Sequence, residues 1–172
     1  MKRIAITLLT ALLLAPSTTL GQTRRRTTPR QPTTTATQQV TQVRTAGANR
    51  VGEQIKLLSR FLYVLGGVNS GLTPADEAAR RNEAPPAVVQ KTQQTKVGVR
   101  TNIQNFREGL DKLEIDFRAA PELQPFYIKL AGVAAGAATA EELASGNQFD
   151  RAGRTLLDVV NRLADVLVIM RQ

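Results

Sequence analysis

The chain has 172 residues, 42% of them apolar but only 4% aromatic, with no Cys, His or Trp. That length and composition suit one domain with an aliphatic core. They exclude a disulfide, a thiolate nucleophile, a Ser-His-Asp triad and a His- or Cys-built zinc site, because the necessary side chains do not exist. The formal net charge of +9 is concentrated at one end: no acidic residue precedes Glu53, whereas Lys2, Arg3, Arg24, Arg25, Arg26, Arg30, Arg44 and Arg50 all do, so the charge belongs mainly to a tail.

In chain order, the first expected element is a secretion signal over residues 1–21. Lys2 and Arg3 form a positive start, Ile4 to Leu14 is apolar apart from Thr7 and Thr10, and Pro16 breaks the run. Thr19-Leu20-Gly21 then offers small residues where a signal peptidase reads them, with cleavage before Gln22. The apolar run is shorter than the ~20 residues a bilayer span needs, so the mature chain is expected to have no transmembrane span and to be exported, either periplasmic or extracellular. No Cys follows the run, which excludes a lipoprotein anchor.

Residues 22–48 are expected to form a disordered Thr/Arg/Pro-rich tail. Gln22 to Thr37 reads QTRRRTTPRQPTTTAT, and without a large apolar side chain it cannot offset its ordering entropy. Arg24, Arg25, Arg26 and Arg30 are the candidate contacts to an anionic lipid surface or envelope polymer, where each would contribute about 1 kcal/mol. Nucleic acid would match the charge, but the export signal and the lack of aromatics among the arginines argue against it. The plainer reading is a solubilising linker.

Residues 49–172 are expected to form an all-α, up-down-up-down four-helix bundle with a short extra helix in the first connection. The first long helix runs from Gln38 or Asn49 to Leu65. Val51, Ile55, Leu58, Leu62 and Leu65 share one face, widened by Leu57, Phe61 and Val64. Gly66-Gly67 reads as its stop. In the connection that follows, Thr73-Pro74 reads as the start of a short solvated helix from Pro74 to Arg81. The second helix starts at Pro85-Pro86, carries Val99, Ile103, Phe106, Leu110, Leu113 and Phe117 on one face, and closes at Pro121. The third spans Glu122 to Ser145 and includes the small-residue run Ala131 to Ala138, which suits close helix packing. Gly146 ends it and Asn147 reads as the cap of the fourth, whose face is Phe149, Gly153, Leu156, Val160, Leu163, Leu167 and Met170. The C-terminal end of that helix is apolar nearly all round, so it is expected to be central or to meet a partner. Short links make helices two, three and four antiparallel neighbours.

The sequence has neither a Gly-Lys-Ser/Thr phosphate loop nor a dinucleotide fingerprint. Asp111, Glu114 and Asp116 alternate with Lys112 and Arg118 and read as a solvated helix face. Glu141-Glu142 could ligate a divalent ion, but a carboxylate centre in a bundle adds Glu-x-x-His pairs and His is absent. Ser59, Ser70 and Ser145 have no base except Lys to activate them. The expectation is therefore no catalytic residue, cofactor or metal, and an exported non-catalytic protein with an interaction or structural role in the cell envelope. The alternative is a carrier or chaperone that holds an apolar ligand between helices, on the Ala/Gly face of the third. A hydrolase working with carboxylates alone ranks last.

Overall fold

The computed structural model describes residues 34–172. The expected secretion signal, its cleavage site and Arg24, Arg25, Arg26 and Arg30 lie outside the described residues. Within them the protein is all-helical and without strands: α1 (Thr34–Arg80), α2 (Pro86–Ala119), α3 (Gln124–Leu130), α4 (Val133–Ser145) and α5 (Phe149–Arg171).

The first connection differs from the expectation. Gly66-Gly67 does not stop the helix, and there is no separate short helix at Pro74. A single helix of 47 residues runs through both, about 70 Å at 1.5 Å per residue. Val51, Leu58, Leu65 and Leu72 are all buried at heptad spacing, so the core seam continues across the glycines. Each glycine costs about 1 kcal/mol relative to Ala, whereas burying a side chain such as Leu72 returns about 1.5–3 kcal/mol. Beyond Pro74, the Asp76 carboxylate takes the Lys96 ammonium of α2 at 2.6 Å and ties the last turns down. The helix closes at Asn82, in the left-handed region at φ 57°. There the Asn82 N–H donates to the Ala79 carbonyl and the Glu83 N–H to the Ala78 carbonyl, a Schellman closure.

The start of α1 also differs. The boundary at Asn49 falls inside α1, and residues 34–48, assigned to the tail from sequence, are helical. Val43 and Ala48 pack against the core. Gly47 brings the backbone so close that an added methyl would lie 2.9 Å from Leu123 and 3.1 Å from Met170. At Gly47 only a residue without a side chain fits this approach.

Helix α2 spans the predicted range with Val99, Ile103, Leu110, Leu113 and Phe117 buried. Phe106 is only partly buried, with its ring tilted 59° to that of Phe61 at 5.1 Å. The third helix is two: Gly132, at φ 94°, breaks it into α3 and α4. Asn147 does not cap α5. At φ 60° it closes α4, with the Asn147 N–H on the Ala144 carbonyl and the Gln148 N–H on the Leu143 carbonyl; the N-cap of α5 is Gln148.

α1 packs on α2 and α5, and α4 packs on α2 and α5. Every one of these pairs is antiparallel. In α1/α2, Arg50 meets Asp116 and Asp76 meets Lys96. In α1/α5, Gly47 lies by Met170 and Leu65 by Gly153. In α2/α4, Glu114 reaches Ala134 and Arg107 meets Glu141. In α4/α5, Gly132 lies by Arg162 and Gly136 by Val159. The short α3 lies against α2 and α5. Among the described residues no helix is long and apolar enough to cross a membrane.

Candidate functional site

Four charged side chains are engaged with the ends of neighbouring helices. Arg44 of α1 donates from Nε to the Met170 carbonyl at 2.7 Å and from Nη2 to the Ile169 carbonyl at 3.4 Å, closing α5 while its guanidinium lies 5.2 Å from the Phe126 ring centre. Arg100 of α2 donates to the Ala144 carbonyl at 3.1 Å and to Asn147 Oδ1 at 2.9 Å, closing α4. Arg162 of α5 donates to the Ala131 carbonyl at 3.3 Å, just past α3. Each places a cation at the negative end of a neighbouring helix. Glu114 does the converse: its Oε1 accepts the N–H groups of Gly132 and Ala134 at 3.0 and 2.9 Å, at the positive end of α4.

The carboxylates Asp111, Glu114 and Asp116 therefore do not share one role. Glu114 holds α4, Asp116 pairs with Arg50 at 2.8 Å on the surface, and Asp111 is exposed. Glu141 lies 2.6 Å from Arg107 Nε, but the N–H does not point along that line, so the contact is ionic and the buried Nε makes no hydrogen bond. Lys96 is the most deeply buried ionic group of these, its side chain 7% exposed against 29% for Asp76. No group of three or more metal-ligating side chains converges among the described residues.

The Ala/Gly face of α4 is closed. Ala137, Ala140 and Ala144 are fully buried, and a methyl on Gly136 would stand 2.7 Å from Val159 Cγ2. An apolar opening lies between α1 and α5; another, of about 350 Å³, lies between α1 and α2 beside Val43, Gly47, Ala120 and Leu123. The first has a volume of about 210 Å³ and is walled by Leu62, Leu65, Phe149 and Leu157, with Gly66 and Gly153 leaving its floor low. Asn69 and the ion-paired Asp150 and Arg154 also line it. The volume lies below the ~300–1,000 Å³ of a typical small-molecule site. Gly66, expected from sequence to end a helix, lies inside α1 and forms part of this groove's floor. The signal available was the shared level of Gly66 and Gly153, which emerges only once α1 is known to continue.

No protein-family model, no curated protein and no solved structure matches this chain.

Proposed function

We propose that this is an exported, non-catalytic protein that works by contact: an up-down-up-down four-helix bundle, with α3 and α4 together as its third member, serving an interaction or structural role in the cell envelope. Arg24, Arg25, Arg26 and Arg30 then meet an anionic lipid surface or polymer. The observation that carries the reading is where the inward-facing charge goes. Arg44, Arg100 and Glu114 bind helix ends and Lys96 binds Asp76, and the exposed Arg162 also binds one. That leaves these groups committed to architecture rather than aimed into a cleft, and function must be argued from a site. A contact role draws instead on surfaces and on the basic segment.

Two measurements test this. N-terminal sequencing of natively expressed protein should return Gln22 or a close neighbour; Met1 or Lys2 would overturn export. Co-sedimentation should show binding to anionic but not neutral vesicles, weakening as salt rises because such contacts are screened over ~8–10 Å, and lost when the four arginines become Gln. Binding that ignores salt and survives the arginine replacement would reject the surface role.

The second reading, a carrier of an apolar ligand, is favoured by the open groove between α1 and α5 rather than by α4. It predicts saturable uptake of an apolar fluorescent probe that is blocked by Gly153→Trp.

A further inference from the structure

We infer that the outer end of the α1/α2 hairpin, from Gly71 to Gly98, is a lobe that swings as a unit about glycines in both helices, opening and closing a cleft against the α4–α5 link. This holds whether the chain works by contact or as a carrier.

The other helices stop where the lobe begins. Leu65 lies against Gly153, and one turn further out Asn69 and Phe149 line the same groove; Phe149 is the first residue of α5. Arg100 donates to the Ala144 carbonyl and to Asn147 Oδ1, at the end of α4. Past this level α1 and α2 continue, joined through residues 81–85. Between Gly71 and Gly98 the buried side chains are Leu72, Thr92 and Lys96. A single large aliphatic side chain, at the base of the lobe, is therefore buried there, and the other two are polar. The lobe holds itself together instead: the Lys96 ammonium donates to Asp76 at 2.6 Å, and both residues belong to it. Among the described residues, its side-chain hydrogen bonds and ion pairs stay within α1, α2 and their link, so none of them fastens it to α4 or α5. Few buried apolar contacts place a segment at the low-stability end of a structure.

Both helices carry the hinge. Phe61 of α1 lies against Phe106 of α2, and Asp76 against Lys96. Gly66, Gly67 and Gly71 fall between those two contacts on α1, and Gly98 falls between them on α2. An added methyl at any of the four would meet nothing within 4 Å, so close packing does not account for them. Glycine weakens a helix, and what it supplies in return here is backbone freedom. Ser70-Gly71 is the kind of pair at which helices bend, and Pro74 removes the N–H that would close on the Ser70 carbonyl. A packed helix pair bends only if both members yield at one level, since a stiff partner would hold the other straight. The lobe faces the link across a cleft of about 340 Å³, with Asp76, Arg80, Gln93 and Lys96 on one side and Asn147 on the other. That cleft is the gap a swing changes, as in hinge closure about a few element-terminal residues.

The chain has no Cys, so spin labels can be placed in pairs on the full chain as the cell processes it. Gln90→Cys with Ser145→Cys joins the lobe to α4, and Lys112→Cys with Asp165→Cys spans the bundle; all four positions are exposed. Double electron–electron resonance should give the lobe pair a distance distribution at least about twice as wide as that of the bundle pair, because a hinged body samples several positions. Replacing Gly66, Gly67, Gly71 and Gly98 together by Ala should narrow the lobe pair to about the bundle width and leave the bundle pair unchanged, since Ala stiffens the helix without a clash. Amide protons of the lobe's helices should remain protected in hydrogen exchange, because a swing keeps their hydrogen bonds and unfolding would not. Equal widths for the two pairs, a lobe width unmoved by the four alanines, or lobe amides that exchange as freely as those of an unfolded chain would overturn the inference.

Discussion

The Glu114 carboxylate of α2 accepts the backbone N–H of Gly132 at 3.0 Å, and its same oxygen takes the Ala134 N–H at 2.9 Å. The sequence around α4's start, Ala131-Gly132-Val133-Ala134-Ala135, contains no side chain able to cap it, so the cap comes from another helix. Glu114→Ala leaves partly buried N–H groups without their acceptor and should cost about 1–3 kcal/mol in urea unfolding. Glu114→Gln keeps an acceptor oxygen and should cost less. A Glu114→Ala protein as stable as the parent would show that solvent serves these groups equally well.

The glycines of α1 and α4 should respond in opposite directions to the same change. Gly67 and Gly71 lie inside α1 with open space where a methyl would go, so Gly→Ala at either should stabilise by about 0.4–1 kcal/mol through helix propensity and a stiffer unfolded chain. At Gly136 the methyl would stand 2.7 Å from Val159 Cγ2. Gly136→Ala should therefore destabilise by about 1–3 kcal/mol through overpacking, and Val159→Ala in the same chain should recover part of the loss. Thermal unfolding of the three single variants and the double gives the signs directly.

Where periodicity was dense the sequence was legible. Val99 through Phe117 placed α2, Leu156 through Met170 placed α5, and both lie where their apolar spacing put them. At Gly66-Gly67 and Pro74, local punctuation is overridden by tertiary contacts. Gly66-Gly67 and Pro74 are helix breakers in isolation, but the Leu65–Leu72 seam and the Asp76–Lys96 pair hold the helix through them. The break at Gly132 was hidden in the other direction. Ala131 to Ala138 looks uniformly helical, and the carboxylate that stabilises the bend lies eighteen residues upstream of it, at Glu114. Phe106, read as core, is only partly buried, its ring against that of Phe61, itself partly buried, in the α1/α2 seam. The groove between α1 and α5 was out of reach for the same reason as the continuous α1.

Acid should reveal the Glu53–Lys56 pair. The Lys56 ammonium donates to Glu53 at 2.8 Å, and this hydrogen bond, with the positive charge behind it, holds the Glu53 carboxyl below its ordinary value. A depressed carboxyl favours the folded state above the unfolded pKa, about 4.3 for Glu, and that contribution disappears as pH falls through the lower folded value. The pair is fully solvent-exposed, so the clear readout is titration rather than stability. In carboxyl-resolved NMR, Glu53 should titrate below the ordinary glutamate range, and Lys56→Gln should move it up. No movement would place the cause elsewhere.

Lys96 supplies the sharpest stability test. Its side chain is 7% exposed and its Nζ has Asp76 at 2.6 Å, while Asp76 itself is 29% exposed. The two partners are therefore unequal. Asp76→Ala strands a buried ammonium and should cost about 3–5 kcal/mol, the usual penalty for an uncompensated buried charge. Lys96→Met removes the buried charge, fills similar volume with apolar atoms and leaves a carboxylate that can turn to water, so it should cost clearly less. The double variant Asp76→Ala/Lys96→Met should be more stable than Asp76→Ala alone, giving a favourable coupling of the kind a double-mutant cycle reads for residues in contact. The cycle also tests the continuity of α1. Asp76 lies beyond Pro74, and only if the helix persists past that proline does its carboxylate reach α2. Equal costs for the two single changes, with no coupling between them, would mean that the last turns of α1 are not docked on α2 in solution.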